Sequence, residues 1–508
     1  MTRFSAHRAR LVPTLLCPLL LLPAACTDDA DPAPAPPPGP AVGTAGSTTA
    51  REPVDHAAPT EPPEEDALEL AVNEPREDSV YPAVGDPGVD ALHYDLSLDW
   101  DPATRVLDGR EQVLLRATED DDTLQLDLSP ALTVRSVSVD GDKVDFRHAG
   151  KDLYLRQEVV ADERYEVVVS YTGTPRPAAA PTTRSDFSTT GWTTTDDGWT
   201  WTMQEPYGAY TWYAVNDHPS DKALYDVTVS VPSPWTGVSN GELVSREERD
   251  GRTVTRWHLA EPAAAYLMTL ATGDYVSVEA TSDSGVPVTW WVPRDQERLG
   301  SGARTMAHEL AWLEERLGPY PYDTAGAVLV ESVSGMETQT MITLGISDYT
   351  LSPAVIVHEL AHHWYGDQVT PADWRDVWMN EGMAMYLQIL WQVERDGADL
   401  EAALDGYAVR EAEERAAAGP PGDYDPATFG ESNIYYGPAL MWHELRERMA
   451  ARPGGEDAFW ALVRDWPAAQ DNGTADREEY LAWIEEETGL ELSAFFDGWL
   501  TGATTPPR

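Results

Sequence analysis

Residues 358–367 read HELAHHWYGD, and the spacing of their charged groups sets how the rest of the chain is read. His358 and His362 stand at i and i+4, so on a helix they share one face and both imidazoles reach one point. Glu359 is rotated about one helical step from that face and can hold a water without being a ligand. The apolar residues in VIVHELAHHWYGD (355–367) support a buried helix. His363 turns off the ligand face, where packing or solvent is its expected environment. A catalytic zinc site takes three protein ligands and keeps a fourth position open, so a third donor is required. WRDVWMNEGMAMYLQ (374–388) begins a second helical pattern, and its Glu381 follows His362 by 19 positions. On a neighbouring helix, that carboxylate would complete a His-His-Glu set.

The 508 residues carry 87 acidic against 35 basic side chains, a formal net charge of −52. Such a chain repels nucleic acid and anionic membrane surfaces, which excludes both as main partners. It reads as a solvated, solubilising surface that would also attract a cationic ligand, such as a peptide with a free N-terminal amine. The only cysteines are Cys17 and Cys26, so no disulfide, cysteine nucleophile or cysteine metal ligand is expected in the mature chain. Arg3, Arg8 and Arg10 precede LVPTLLCPLLLLPAAC (11–26), a basic and then apolar order that fits an export signal. Residues 1–26 resemble a bacterial lipoprotein signal, with Cys26 as the lipidated residue after Ala24 and Ala25. Secretion with cleavage nearby is the alternative. The expected location is the outer face of the cytoplasmic membrane if the chain is lipidated, and outside the cell otherwise. No later apolar run approaches the roughly 18 residues needed to cross a bilayer.

Residues 27–80, as in DPAPAPPPGPAVGTAG (31–46), are rich in Pro, Ala, Thr and acids and read as a disordered tether. Residues 81–283 show period-2 patterns in HYDLSLDW (93–100), YEVVVSY (165–171) and DVTVSV (226–231). Asp140-Gly141 and Asp250-Gly251 supply hairpin turns, which predicts an antiparallel β-rich domain. In residues 284–508 the texture changes. VTWWV (288–292), GAVLVES (326–332) and MITLGIS (341–347) read as strands, and ARTMAHELAWLEERLG (303–318) reads as a helix closed by Gly318. From Pro353 onward nearly every segment is helical, as in DREEYLAWIEEETG (476–489), acidic at its start and ended by glycine. The fold class is therefore α+β, in more than one domain.

The HExxH run, the 18 intervening residues and Asn380-Glu381-Gly382 together resemble the signature of the gluzincin aminopeptidases, which include the alanyl aminopeptidases and the leukotriene hydrolase. The resemblance extends over about Tyr81 to Trp499. It implies a saddle-like N-terminal β-domain followed by a thermolysin-like peptidase domain with a mainly helical C-terminal half, and one zinc ion per chain. Many members continue into a large helical C-terminal domain; because this sequence stops soon after Trp499, that domain is expected to be missing or reduced here. Ser334-Gly335-Met336-Glu337-Thr338 is similar to the family's GxMEN segment, with Thr338 in place of asparagine. There Glu337 would bind the substrate's free α-amine, and Gly335 and Met336 would offer a strand edge to its backbone. TMQEPYGAYTWYAVNDHPSDKA (202–223) resembles the family's substrate-anchoring strand, with Glu205 at the anchor position and Gln204 its neighbour. Most of its aromatics, Tyr207, Tyr210 and Trp212, read as core. NIYYGPALMWHELR (433–446) resembles the helix that carries the oxyanion-stabilising tyrosine. Tyr435 falls at that position with Tyr436 beside it as the alternative, and Gly437-Pro438 replaces a Lys/Arg-Gly pair.

The resemblance implies a zinc aminopeptidase. His358, His362 and Glu381 would hold the metal, and Glu359 would take a proton from water and pass it to the leaving amine. Tyr435 would stabilise the oxyanion, and Glu337 and Glu205 would hold the α-amine. Asp367, Asp376 and Asn380 stand near enough in sequence to orient ligands, or to serve as caps or surface groups. A secreted thermolysin-type endopeptidase would share the zinc helix and need neither Glu337 nor Glu205. A non-catalytic surface binding protein on the same scaffold would be expected to have lost one of the four motif residues.

Overall fold

The computed structural model describes His56, Thr60, residues 63–470 and residues 472–507. Residues 1–26, read from the sequence as an export signal with Cys26, and, those two residues apart, the stretch read as a tether as far as 62 lie outside them.

The tether ends before residue 80. Helix α1 (Glu65–Leu70) buries Leu68, and with Ala71 packs it against Leu92 and Leu224. Arg116 bridges the Asn73 carbonyl and the buried Asp90 carboxylate, 2.5 and 2.9 Å away. The Asp78 carboxylate accepts from the backbone of Val80 and Tyr81, and from Trp374 at 2.7 Å. The composition of this stretch is too polar to build a core of its own. A few apolar side chains and a charge network suffice to dock it because the receiving surface is already folded.

The main sheet has eight strands in the order Glu242–Arg249, Arg252–Ala264, Lys222–Pro232, Val89–Asp101, Val106–Ala117, Arg164–Gly173, Leu132–Val139 and Asp142–Lys143. Its neighbours run antiparallel as expected, with one correction: Val89–Asp101 and Lys222–Pro232 pair in parallel, with His93 opposite Leu224. Local alternation of side chains cannot distinguish the two directions, because both share period 2. The two Asp-Gly turns form as read. Asp140 and Gly141 have φ of 50° and 82°, and Asp250 and Gly251 have 53° and 77°, the left-handed pair that a tight hairpin between twisted strands requires.

The division at 283/284 also moves. Tyr275–Thr281 and Pro287–Pro293 form one hairpin, so the cut would pass through its turn. That hairpin opens the second half's own sheet, ordered Tyr275–Thr281, Pro287–Pro293, Ala325–Val330, Ile342–Gly345, Gly335–Met336. Helix α2 (Gly302–Leu317) follows and stops at Gly318 (φ 89°). After it come α3 (Pro353–His362), α4 (Trp378–Trp391), α5 (Leu400–Ala418), α6 (Asn433–Ala450), α7 (Gly455–Gln470), α8 (Arg477–Thr488) and α9 (Ser493–Leu500). The acidic start of α8 is a reciprocal cap between Asp476 and Glu479, and Gly489 closes the helix in the left-handed region. None of these helices is long and apolar enough to cross a membrane. The apolar core of the β-rich half runs on into Val328, Met336, Trp374 and Phe429 of the second half.

Candidate metal centre

Helix α3 begins at Ser352, whose side chain caps Val355, with Pro353 in the first turn, where its missing N–H costs nothing. It is buried from Ala354 to His362, past an exposed Pro353, so the histidines of its last turns sit away from bulk solvent. Helix α4 packs beside α3 and places Glu381 in its first turn. The Nε2 atoms of His358 and His362 lie 3.2 Å apart, and Glu381 Oε2 lies 3.3 and 3.5 Å from them. Donors on a tetrahedral ion at about 2.1 Å stand about 3.4 Å from one another, so the three atoms are spaced as zinc ligands. Glu381 Oε2 is buried and accepts no hydrogen bond among the described residues, which a cation would remedy. Burial alone would raise the Glu381 carboxyl, but the His362 and His358 imidazoles outweigh it and hold it at about 2. The residues present therefore fit a zinc ion.

His362 Nδ1 lies 3.1 Å from the Tyr365 carbonyl, a contact that assigns its proton to Nδ1 and leaves Nε2 free to ligate. None of the three groups considered for orienting a ligand does so. Asp376 binds Trp378 Nε1 and the Arg477 backbone. Asn380 stands against Gly366, and the Asp367 backbone N–H donates to the His362 carbonyl, with its carboxylate 3.7 Å from His363 Nε2. His363 is fully buried, 2.7 Å from the Tyr320 hydroxyl, and held neutral because burial, with His362 nearby, lowers it to about 3.

Glu359 lies beside the triad, its carboxyl pushed up to about 8, first by burial and then by Glu337. Oxygen atoms of Glu337 and Glu359 and a nitrogen of His362 stand within 4.8 Å of one another. Gly335 and Met336 form the last strand of their sheet, paired on one side only with Ile342–Gly345. Gly335 has a steric reason to be glycine: a Cβ there would come within 2.6 Å of Glu359 Oε1. Glu337 is 4% exposed and Glu205 7%, and each has one oxygen without a partner among the described residues. Burial first, then Glu337 and Glu381, raises the Glu205 carboxyl. Thr338, where the family motif has asparagine, bonds to Thr343 and holds the turn after Glu337. Gln204 is structural. Its amide donates to Ala265 and Met268 and accepts from Trp212, while its backbone N–H meets the Met336 sulfur at 3.3 Å. That lattice fixes the backbone from which Glu205 projects.

The first turn of α6 separates the two tyrosines. The Tyr435 ring stacks 6.2 Å from the His358 ring, while Tyr436 turns to Tyr407, 4.4 Å away. The Tyr435 hydroxyl lies 3.5 Å from Arg184 Nη1. Arg184 was not singled out from the sequence, where it stands in a Pro- and Thr-rich run, PTTRSD (181–186), with no motif around it. Lys222 was missed as well. It is completely buried, donates to the Asp367 and Gln368 carbonyls at 2.8 and 3.1 Å, and fixes the loop after the zinc helix.

Residues 303–499 match the Peptidase family M1 domain, and residues 90–267 match the Peptidase M1 N-terminal domain. Human glutamyl aminopeptidase is 27% identical over 228 residues, covering 40% of this chain and 24% of that protein. Aminopeptidase N from Streptomyces lividans is 25% identical over 337 residues, 61% of this chain and 38% of the relative. The chain thus spans about a quarter to two fifths of the length of these relatives. Among solved structures, a mutant M1 zinc metallopeptidase from Deinococcus radiodurans bound to a Tyr-Ser-Ala substrate superposes with a TM-score of 0.73 at 25% identity. That match covers 85% of this chain and 98% of the other. With an N-terminal and a catalytic match in the family's order, and a fold shared across most of its length, the chain belongs to peptidase family M1.

Proposed function

We propose that this protein is a zinc aminopeptidase that hydrolyses the first peptide bond of peptides bearing a free N-terminal amine. One observation carries the reading: beside the His358–His362–Glu381 cluster, two buried carboxylates, Glu337 and Glu205, each keep one oxygen without a partner among the described residues. Buried acids without partners are costly, and a substrate ammonium, with three donors, meets that need through charge-assisted bonds. An endopeptidase would gain nothing from them. The one-sided strand Gly335–Met336 offers its edge to an extended substrate backbone.

When bound, zinc supplies Lewis acidity toward a carbonyl oxygen and toward water. Glu359 holds the proton that water gives up and returns it to the departing amine, a role for which a raised carboxyl pKa is suited. Tyr435 donates its hydroxyl proton toward the carbonyl oxygen as charge builds there. Glu337 and Glu205 set the register by holding the α-amine.

A panel of aminoacyl chromogenic amides, with and without a chelator, tests the reading. Hydrolysis should stop on chelation and return with zinc. Glu337→Ala should lose activity on free-amine peptides and leave little on N-acetylated ones; equal cleavage of both forms by the unmodified protein would point to an endopeptidase instead.

The basic and apolar order of residues 1–26 supports export, with a lipid on Cys26 as the anchor. Labelling cells with a fatty-acid analogue should mark the protein, and Cys26→Ser should abolish the mark; equal labelling of both rejects the anchor.

A further inference from the structure

The β-rich half reaches into the metal centre through a loop. Ala178–Ala179 pairs with the start of Thr189–Thr194, and the connection between them lies against the turn that opens α6. Phe429 donates its N–H to the Pro181 carbonyl at 2.9 Å, and Thr183 bonds to Glu431. Gly430, at φ 75°, accepts from Arg184 Nη1 at 2.8 Å, and a Cβ on it would come within 3.3 Å of the Phe187 ring. Two residues beyond Glu431, α6 begins, and Tyr435 lies in its first turn.

Arg184 is aimed by its neighbours. Asp186 takes Nη2 at 2.7 Å and Nε at 3.3 Å. That orientation leaves Nη1 to reach the Gly430 carbonyl and the Tyr435 hydroxyl. A guanidinium has only donors, so toward Arg184 the phenol oxygen can only accept. The hydroxyl proton must then point elsewhere, and among the described residues it has no protein acceptor. Besides burial and Arg184, the carboxylates Glu381, Glu205 and Glu337 act on this phenol, and their charge draws the proton toward their side.

We propose that Arg184 is a positioning residue: from the β-rich half it occupies the Tyr435 oxygen and so directs the hydroxyl proton into the cleft, toward the substrate carbonyl. The inference rests on the reading of Tyr435 as the oxyanion donor and adds what holds that donor in place. It also ties the two halves of the chain together at the reaction centre, through a residue about 250 positions from the tyrosine.

The test compares the zinc-loaded protein with Arg184→Ala, Arg184→Lys, Tyr435→Phe and the double variant R184A/Y435F, on an aminoacyl p-nitroanilide that has no carboxylate. Removing a whole oxyanion donor costs about 10²–10³ in kcat, so loss of its positioning should cost about 10–100-fold. KM should stay within about threefold, and Arg184→Lys should recover part of the loss. The double variant should be no slower than Tyr435→Phe alone, because Arg184 acts through that hydroxyl. Independent, multiplying losses overturn the proposal, as does an unchanged kcat in Arg184→Ala. A loss confined to peptides with a free C-terminal carboxylate, absent with their amides, also overturns it in favour of a carboxylate anchor.

A readout without turnover separates this inference from the proposed activity. In protein labelled with 3-fluorotyrosine, the Tyr435 fluorine resonance is the one missing from Tyr435→Phe. It should shift or broaden in Arg184→Ala and move less in Arg184→Lys. A resonance that stays put rejects the proposal even if the protein cleaves every amide offered, and one that moves supports it even if none is cleaved.

Discussion

Glu359 shows how closely single residues define this centre. Its carboxyl is buried beside the ligand cluster and touches the space that Gly335 leaves open. Glu359→Gln keeps the volume and removes the carboxylate proposed as the base. Zinc content should remain near one ion per chain while kcat falls about 10²–10⁴-fold; retained turnover would reject the assignment. A second, half-buried acid makes a separate prediction, away from the metal. Glu261 is raised to about 7, first by burial and then by Asp323. Its folded-state pKa lies above the unfolded value of about 4.3, so the folded chain binds the proton more tightly. Folding stability is therefore lost as pH rises from about 4 to about 7. Glu261→Gln should leave the melting temperature nearly unchanged at about pH 3.5 and raise it at about pH 8, a stabilisation on the order of 1–3 kcal/mol. Equal gains at both pH values would refute the titration.

Among elements, the contact between α4 and α6 joins the third ligand to the tyrosine. Gly382, next to Glu381, leaves room for Pro438: a Cβ on it would lie 2.3 Å from the Pro438 Cβ. The Gly-Pro that replaces the family's Lys/Arg-Gly pair is thus matched by a gap on the facing helix. Gly382→Ala should destabilise by about 1–3 kcal/mol through overpacking, and should lower kcat by displacing the turn that carries Tyr435. An unchanged melting temperature and unchanged kcat would show that the interface yields freely. Elements with strong local signals were legible in the sequence: α3 and α4 from their apolar periodicity, α8 from its acidic start and glycine stop, and both Asp-Gly hairpins from turn chemistry. The parallel pairing of Val89–Asp101 with Lys222–Pro232 was not, and neither was the docking of residues 63–80. Both depend on surfaces supplied by distant segments.

Across the whole molecule, the net charge of −52 acts on every folded contact. Like charges repel within about a Debye length, ~30 Å at 0.01 M salt and ~3 Å at 1 M, so low salt should weaken the compact state. Raising sodium chloride from about 10 mM to about 0.5 M should lift the melting temperature by more than about 3 °C. A flat or falling curve would mean that the acidic groups are already neutralised by their neighbours.

The sequence by itself placed His358 and His362 on one face of a helix, because i, i+4 geometry is a property of the covalent chain; Glu381, 19 positions on, it could offer only as a candidate third donor. It could name Glu205, Glu337 and Tyr435 only through resemblance to a family. Only the tertiary structure decided that Tyr435 rather than Tyr436 stands beside His358, and that Arg184 reaches its hydroxyl. It also decided that Tyr365 rather than Asp367 or Asn380 orients His362. Those pairings join atoms on separate segments, and no local rule of spacing connects them until the packing of strands and helices brings their surfaces into contact.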